Sequence, residues 1–370
     1  MLSADEILKY RIALTLLPEV GPVKAKTLVS YCGGVEEVFR NKKRQLEQIP
    51  GVGKIISESI TNHDVFDRAE EEVDFIRKYK ITPLFYLDAD YPSRLKNCDD
   101  SPTMLYFKGN TDLNAKKIIA IVGTRNATDY GKQVCEKLIE GFAAYNITIV
   151  SGLAYGIDIA AHKIALNNNL PTVGVLAHGL DKIYPDNHKS TAEKMLANGG
   201  LLTEFMSQTN PDRENFPSRN RIVGGMVDAV IVVESALKGG ALITADIAFG
   251  YNRDVFAVPG KVNDTHSQGC NHLISENKAA LLESPEQFIK SLNWDIEEKK
   301  AKPNKQMVIF NDLKEEERIL VELLQENGKL NIDSLILRSK LPVSKVSSSL
   351  LNLEFAGVLR SLPGKVYQLN

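Results

Sequence analysis

Apolar runs and helical periodicity alternate through the middle of the chain. Residues 118–122 read Ile-Ile-Ala-Ile-Val, which is typical of a short strand buried on both faces of a parallel sheet. The stretches 129–145 and 157–167 have helical periodicity. Similar apolar runs predict further strands at 147–151, 172–176, 201–203, 228–234 and 254–258. This alternation predicts an α/β fold with a doubly wound, mainly parallel sheet.

The N-terminal part of the chain has a helical pattern and contains a near-repeat. Residues 17–23 read Leu-Pro-Glu-Val-Gly-Pro-Val, and residues 49–55 read Ile-Pro-Gly-Val-Gly-Lys-Ile. Such turns occur in helix-hairpin-helix motifs, where turn amides hold a DNA phosphate. Tight turns in a small structural, SAM-like domain need the same glycines, so both interpretations stay open. We predict an N-terminal helical domain over 1–80 and a central domain over 81–296, which begins with a strand at 82–86.

The C-terminal part begins with a charged segment. Residues 297–305 read Glu-Glu-Lys-Lys-Ala-Lys-Pro-Asn-Lys, which predicts a linker over 297–312. Three amphipathic helices and a β-hairpin follow, and they predict a winged-helix domain over 313–370. The third helix, 344–354, carries only Lys345 as a positive charge. Sequence-specific reading of the major groove is therefore disfavoured, and a protein contact and a weak DNA contact both stay open.

Composition and charge indicate an ordinary globular protein rather than a polycation or a membrane protein. The chain is 43% hydrophobic, and its net charge is -2 at pH 7, so binding to nucleic acid would need a local basic patch. Its 4 cysteines are widely spaced, without a Cys-x-x-Cys pair, which predicts reduced thiols in a cytoplasmic protein. No apolar run approaches the ~18 residues of a transmembrane helix, and we expect no membrane partner.

Glycines and small polar residues follow three of the predicted strands. Because the carboxyl ends of parallel strands meet at one edge of a sheet, we expect these turns to converge on a phosphate-rich ligand. We expect Gly123 to admit the ligand close to the backbone, Thr124 to offer a hydroxyl and a free N–H, and the Ser151 hydroxyl to donate to a phosphate oxygen. The predicted ligands at these turns are Gly123, Thr124, Arg125, Ser151, Gly152, Gly240 and Thr244.

A loop that mixes arginines with an aromatic ring precedes the strand at 228–234. Its candidate ligands are Arg213, Phe216, Arg219, Asn220 and Arg221. Guanidinium groups pair with phosphates, and an aromatic ring stacks on an unpaired base. Pairing of these arginines with neighbouring carboxylates such as Asp212 is the alternative.

The sequence contains no convincing catalytic machinery. The Gly-x-Gly-x-x-Gly fingerprint is absent after the strand 118–122, so no NAD or FAD is expected. Asp158 and His162 share one helix face, but no third ligand has suitable spacing. A structural hydrogen-bonded pair is therefore favoured over a metal site. Glu234 is the one candidate acid near the sheet edge, and no motif places a partner for it. We predict no enzyme activity, no cofactor and no metal.

The order of motifs in the central domain resembles the DNA-processing protein A family of bacteria, also called DprA or Smf. The resemblance extends from about Tyr91 to Leu282. The matching motifs are Gly123-Thr124-Arg125 with Tyr130-Gly131, 151–158 (Ser-Gly-Leu-Ala-Tyr-Gly-Ile-Asp), 179–185 (Gly-Leu-Asp-Lys-Ile-Tyr-Pro), 216–221 (Phe-Pro-Ser-Arg-Asn-Arg), 242–245, 257–260 and 269–274.

The resemblance implies a non-enzymatic, single-stranded DNA-binding protein with an extended Rossmann-like domain. It also implies a homodimer that protects incoming DNA during natural transformation of competent cells and loads RecA for homologous recombination. Carried over by motif, Arg125 would hold a phosphate, Arg213 would add a basic group and Phe216 would contact a base. Leu273 and Ile274 would lie near the dimer interface.

Two other functions fit the sequence less well. A Rossmann-like nucleotide phosphoribohydrolase of the lysine-decarboxylase-like type uses a Pro-Gly-Gly-x-Gly-Thr-x-x-Glu run, which residues 239–244 echo only faintly. The required carboxylate is replaced by Ile247, so this interpretation fails at the catalytic position. A winged-helix transcription factor is disfavoured by the weakly basic third helix.

Overall fold

The computed structural model describes residues 2–295, 314–362 and 365–369. The chain forms two compact units, Met1–Leu292 and Asn293–Asn370. The first unit contains both the N-terminal helices and the central sheet, and the domain boundary at residue 80 stays a prediction. The predicted linker at 297–312 lies outside the described residues.

The N-terminal part of the first unit is helical, as predicted. Gly21 and Gly53 of the near-repeat directly precede the second and fifth helices. The helices enclose an apolar core that also takes in Phe85, Met104 and Tyr106 from the neighbouring strands, so the helices pack directly against the sheet. The helices are α1 Ala4–Leu16, α2 Pro22–Cys32, α3 Val35–Arg40, α4 Lys43–Leu46, α5 Lys54–Thr61 and α6 Val65–Tyr79.

A nine-stranded sheet follows in the order β1-β2-β6-β5-β4-β3-β7-β8-β9. From β6 to β9 in this order the strands pair in parallel, while β1 and β2 add an antiparallel edge. The strands are β1 Thr82–Phe85, β2 Met104–Gly109, β3 Ile118–Val122, β4 Thr148–Ser151, β5 Thr172–Val175, β6 Gly199–Thr203, β7 Ala229–Val232, β8 Asp254–Ala257 and β9 Ala280–Leu281. The doubly wound, mainly parallel sheet is confirmed.

The strand order reverses at β3. From β3 the chain adds β4, β5 and β6 on one side, and it then returns to add β7, β8 and β9 on the other. In open α/β sheets this reversal leaves a crevice at the carboxyl ends of the strands, where ligands bind. The helices that accompany the sheet are α7 Ser93–Lys96, α8 Asp129–Phe142, α9 Ile157–Asn167, α10 Lys189–Met195, α11 Asn215–Gly225, α12 Gly240–Gly250, α13 Gln268–Ser275 and α14 Pro285–Ser291, with 3-10 turns at Ala143–Tyr145 and Asp186–His188.

The second unit has the predicted winged-helix elements. A small sheet in the order β10-β12-β11 joins three helices around a core that includes Leu320, Leu335 and Leu350. The elements are α15 Glu315–Asn327, β10 Lys329–Asn331, α16 Ile332–Ser339, α17 Val343–Phe355, β11 Leu359–Leu362 and β12 Val366–Leu369. Among the residues that the structure describes, no helix is long and apolar enough to cross a membrane.

Candidate nucleic-acid interface

A cleft of about 720 Å³ opens at the carboxyl ends of β3, β4 and β7, beside the point where the strand order reverses. The three glycine-containing turns predicted to converge do meet there. Ten of the twelve predicted ligands line the cleft: Gly123, Thr124, Arg125, Gly152, Arg213, Phe216, Arg219, Asn220, Gly240 and Thr244. Ser151 and Arg221 do not line it.

Arg125 and Arg213 are exposed cations of this cleft. The Arg125 guanidinium lies over the ring of Phe216, 5.2 Å from its centroid, and the Tyr184 ring lies 6.3 Å from that of Phe216. Within the described ranges, neither guanidinium has a hydrogen bond or an ion pair with another residue. Two free guanidinium groups beside two aromatic rings can bind phosphate oxygens and unstacked bases.

The turn after β3 is held by protein contacts that the sequence did not predict. A Cβ at Gly123 would overlap the Ile157 side chain at the start of α9, so this glycine allows close packing of the helix rather than only the approach of a ligand. The predicted free N–H of Thr124 is wrong, because it donates to the Glu234 carbonyl at 2.8 Å. The Thr124 hydroxyl accepts from the Asn126 N–H at 3.2 Å and keeps its own proton to donate.

Arg219 reaches the cleft but is bound mainly to the protein. It is 4% exposed, and its Nη1 donates to the Gly152 and Val175 carbonyls. Its Nε donates to Asn220 Oδ1 at 3.1 Å, so the side chain ties the ends of β4 and β5 to α11. Burial lowers the pKa of Arg219 to about 10, and the negative charge of Asp158 opposes that shift. Arg219 therefore stays charged at neutral pH.

Two predicted ligands point elsewhere. Ser151 is fully buried, and its hydroxyl donates to the Ile121 carbonyl at 2.6 Å, so the predicted bond to a phosphate is wrong. Arg221 forms an ion pair with Glu204 away from the cleft. The predicted loop is wrong from residue 215 onwards, where α11 begins. Arg219 and Arg221 are two residues apart on this helix, which places them about 200° apart around it. Only one of the two can face the cleft.

The N-terminus of α12 forms another part of the cleft. Gly240 and Ala241 lie in its first turn, where backbone N–H groups have no partner within the helix and the helix dipole is positive. No atom lies within 4 Å of the place where a Cβ of Gly240 would be, so the backbone there is open to approach. Thr244 lines the cleft one turn further on. This helix end can hold an anion separately from Arg125.

Sequence reasoning missed the contribution of two tyrosines. Tyr184 is 47% exposed and lines the cleft. A side cavity of about 50 Å³ opens beside Phe216, and Tyr155 and Tyr184 both line it. Both tyrosines stand in glycine- or proline-containing turns after predicted strands, at Ala-Tyr-Gly and Tyr-Pro. That placement was the signal that could have identified them.

The predicted pair of Asp158 and His162 is wrong. Asp158 accepts from the Gly152 N–H at 3.1 Å, while His162 Nδ1 bonds to the Thr172 hydroxyl at 2.7 Å. Both side chains are buried. Burial raises the pKa of Asp158, an effect that the Arg219 charge and hydrogen bonds to Asp158 oppose.

The carboxylate of the candidate acid Glu234 is bonded to Thr128, which caps α8. Glu234 is 1% exposed, and its carboxylate accepts from the Thr128 N–H at 2.9 Å and from the Thr128 hydroxyl, just before α8. In the described part of the chain, no group of 3 or more His, Cys, Asp or Glu residues could hold a metal ion.

The predicted dimer contacts lie on α13. Leu273 is 2% exposed and belongs to the central core, so its side chain cannot contact a second copy without leaving that core. Ile274 is partly buried and packs against the same core. Neither observation tests whether this segment lies near a dimer interface, so the assignment of Leu273 and Ile274 stays a prediction.

The central part of the chain matches the sequence model of a known family. The model described as DNA recombination-mediator protein A matches residues 82–293. The chain belongs to the DprA/Smf family. A second model, the DprA winged helix domain, matches residues 311–365. Protein Smf of Synechocystis is 32% identical over an alignment of 395 positions, gaps included, that covers 97% of this chain and 98% of that protein. DNA processing protein DprA of Streptococcus pneumoniae is 39% identical over 207 residues, which cover 56% of this chain and 73% of that protein.

Solved structures of DprA proteins have the same fold. The structure of DprA from Streptococcus pneumoniae aligns with a TM-score of 0.67 and 31% identity, covering 78% of this chain and 98% of that one. A structure of DprA from Helicobacter pylori, which gives insight into the single-stranded DNA binding mode of that protein, aligns with a TM-score of 0.53 and 31% identity. It covers 58% of this chain and 97% of that one. The family match at residues 82–293 includes every residue that lines the cleft.

Proposed function

We propose that this protein binds single-stranded DNA in the cleft at the carboxyl ends of β3, β4 and β7. The observation that carries the proposal is the exposed Arg125 guanidinium, which lies 5.2 Å from the centroid of Phe216 without a carboxylate partner in the described residues. A guanidinium binds a phosphate with two parallel hydrogen bonds, and the ring offers a face to a neighbouring base. The first turn of α12 offers a second phosphate position.

A single strand suits this cleft better than a duplex does. Phe216 and Tyr184 can stack only on bases that are not already stacked and paired, and such contacts contribute ~1–3 kcal/mol per base. The cleft is a concave site on the sheet edge, and in the described residues it contains no long basic helix that would enter a major groove. The relative from Helicobacter pylori has a single-stranded DNA binding mode, which supports the proposal.

We further propose that the bound strand is delivered to RecA, that this occurs in natural transformation, and that the protein acts as a homodimer without catalysis. The family description as a recombination mediator supports the delivery step. The delivery step is tested by measuring whether this protein accelerates RecA filament formation on single-stranded DNA. Light scattering or sedimentation of the free protein checks its oligomeric state.

The binding proposal is tested by fluorescence polarisation with single-stranded and duplex DNA of one length at two salt concentrations. We expect Arg125→Ala to weaken single-strand binding by about 1–3 kcal/mol, the range for a lost charge-assisted contact. It should also reduce the salt dependence by about 0.7 in log–log slope, the value for one phosphate. Phe216→Ala should weaken binding by ~1–3 kcal/mol through lost stacking and leave the salt slope unchanged.

Two exposed side chains away from the cleft provide matched controls. Arg77→Ala removes a guanidinium that pairs with Asp5 on the helical part of the same unit. Phe249→Ala removes a half-exposed ring near the C-terminal end of α12. We expect both variants to bind as the wild type does. Wild-type affinity in a folded Arg125→Ala variant, or equal losses in the controls, would contradict the assignment of the cleft.

A further inference from the structure

Two loops form one wall of the cleft and are bonded to each other. Residues 176–185, after β5, carry Tyr184, and residues 204–214, after β6, carry Arg213. The bonds between the loops run from the Gly179 N–H to the Thr209 carbonyl (3.3 Å), from the Gln208 N–H to Asp181 Oδ1 (3.0 Å) and from Lys182 Nζ to Asn210 Oδ1 (2.9 Å). These bonds fix the positions of the two cleft loops relative to each other.

A carboxylate from the N-terminal helices is bonded to the second of these loops. Glu72 of α6 is 1% exposed, and its two oxygens accept from the Ser207 N–H at 3.0 and 3.1 Å. The Ser207 hydroxyl donates to Glu72 Oε2 at 2.5 Å. Arg68, one turn earlier on α6, donates to Glu72 at 2.8 Å and to the Ser207 carbonyl at 2.7 Å. Hydrogen bonds to charged groups are stronger when they are buried away from water than when they are exposed, so these bonds restrain the loop.

Apolar contacts join the same elements independently. Leu180 of the first loop and Met206 of the second both pack against the core of the N-terminal helices. The loops also approach each other closely, since a Cβ at Gly179 would lie 2.8 Å from the Cα of Ser207. The two loops therefore pack against the N-terminal helices through Leu180 and Met206, and they carry Tyr184 and Arg213 into the cleft.

We propose that Glu72 is a positioning residue for single-stranded DNA binding. Through Ser207 it fixes the loops that present Arg213 and Tyr184 to the cleft, so the N-terminal helices pre-organise the binding site without touching the DNA. Fixing a binding loop before the ligand arrives lowers the entropy lost on binding. This inference rests on the proposed function and assigns a role in it to the helical part of the chain.

The first test compares three variants by fluorescence polarisation with single-stranded DNA. Glu72→Gln keeps the shape of the side chain but replaces one acceptor oxygen by a donor. It should weaken binding by about three- to tenfold, within the range of coupling between contacting residues. Ser207→Ala removes only the hydroxyl donor and should give a smaller loss of the same kind, which keeps the test available if Glu72→Gln folds poorly. Glu70→Gln, on the exposed side of α6, should bind as the wild type does.

A double-mutant cycle separates positioning from general damage. Arg213 lies on the tethered loop, whereas Arg125 follows β3 and does not. We expect the effect of Glu72→Gln to fall below about twofold in a background that combines Arg213→Ala with Tyr184→Ala, the two cleft side chains of the tethered loops, and to persist in an Arg125→Ala background, because coupling is confined to connected groups. Thermal unfolding of each variant shows whether the fold is intact.

The outcomes distinguish the two proposals. Unchanged affinity in folded Glu72→Gln and Ser207→Ala variants would overturn the positioning role and leave the binding site intact. An equal loss in the Arg213→Ala/Tyr184→Ala background and in the Arg125→Ala background would also overturn it, because that result marks a general effect on the fold. Absence of single-strand binding by the wild type would overturn the proposed function, and the positioning role with it.

Discussion

Arg219 differs from Arg125 in what surrounds it, although both line the cleft. Its guanidinium is buried beside Asp158 and bonded to two strand-end carbonyls. We expect Arg219→Ala to lower the free energy of unfolding by about 2–5 kcal/mol, because it removes the donor to two carbonyls and the positive charge that favours the buried Asp158 carboxylate. Urea unfolding measures this loss, and Arg125→Ala serves as the comparison because its side chain is exposed. Equal stability of the two variants would contradict the structural role of Arg219.

The types of residue at the cleft could be predicted from the sequence, but their individual contacts could not. Arg125 follows the Gly123 turn, and Arg219 and Arg221 stand in the basic run 216–221. One guanidinium is free, one is buried and one is paired with Glu204. The difference depends on helix phase and on groups that are distant in sequence, such as the Val175 carbonyl. Neither is visible in a local pattern.

His162 predicts a dependence of stability on pH. The Thr172 hydroxyl donates to the Ile149 carbonyl, so it accepts from His162 Nδ1. The buried Nε2 has no hydrogen-bond partner among the residues that the structure describes. Burial, with smaller contributions from His188 and Arg219, lowers the pKa of His162 to about 3, below the ordinary value of about 6.5. The neutral ring therefore stabilises the fold fully above pH 6.5, and this contribution is lost as the pH falls from about 6.5 towards 3.

Urea unfolding across this pH range measures the contribution of His162. We expect wild-type stability to fall by up to about 1.4 kcal/mol per pH unit from this group, in addition to the effects of carboxylates. His162→Phe should lose that part of the slope, whatever its stability at neutral pH. His272→Gln, which changes an exposed histidine, should keep the wild-type slope. An unchanged slope in His162→Phe would count against this origin.

At the scale of elements, the turn before α9 packs against the backbone of Thr124 and Arg125. Gly156 precedes α9 with φ 77°, a left-handed conformation that strongly favours glycine. A Cβ there would overlap the Thr124 carbonyl and the Arg125 backbone. We expect Gly156→Ala to cost about 1–3 kcal/mol of stability through backbone strain and to weaken single-strand binding by displacing Arg125. Gly250→Ala, at the open end of α12, should have neither effect, as unfolding and polarisation measurements can show.

The central strands could be predicted because a strand that is buried on both faces is a continuous run of apolar residues. β3 is buried at every position, so all its residues are apolar and the run stands out. The strands β2, β9 and β10 were not predicted. β9 and β10 have two and three residues, too few for a pattern, and they form only because a neighbouring strand offers free backbone groups. β2 is antiparallel on an otherwise parallel sheet, a pairing that no strand–helix alternation indicates.

At the scale of the whole molecule, the net charge of -2 does not favour binding to a polyanion. Many cations are already paired with carboxylates on the surface, as are Lys43 with Glu58 and Lys345 with Glu316. The guanidinium groups of Arg125 and Arg213 differ from other unpaired cations because both line the cleft, where they have no carboxylate partner in the described residues. Local placement, rather than total charge, therefore supports the proposed binding of phosphate in the cleft.

The division into two compact units leads to a last prediction. Every residue that lines the cleft belongs to Met1–Leu292, and a compact unit with its own core can fold alone. We expect a protein of residues 1–292 to fold and to bind single-stranded DNA within about twofold of the full chain. Polarisation titrations of both proteins at equal salt provide the measurement. A loss of tenfold or more, with the fold intact, would mean that the winged helix takes part in binding, despite having only Lys345 as a positive charge along its third helix, α17.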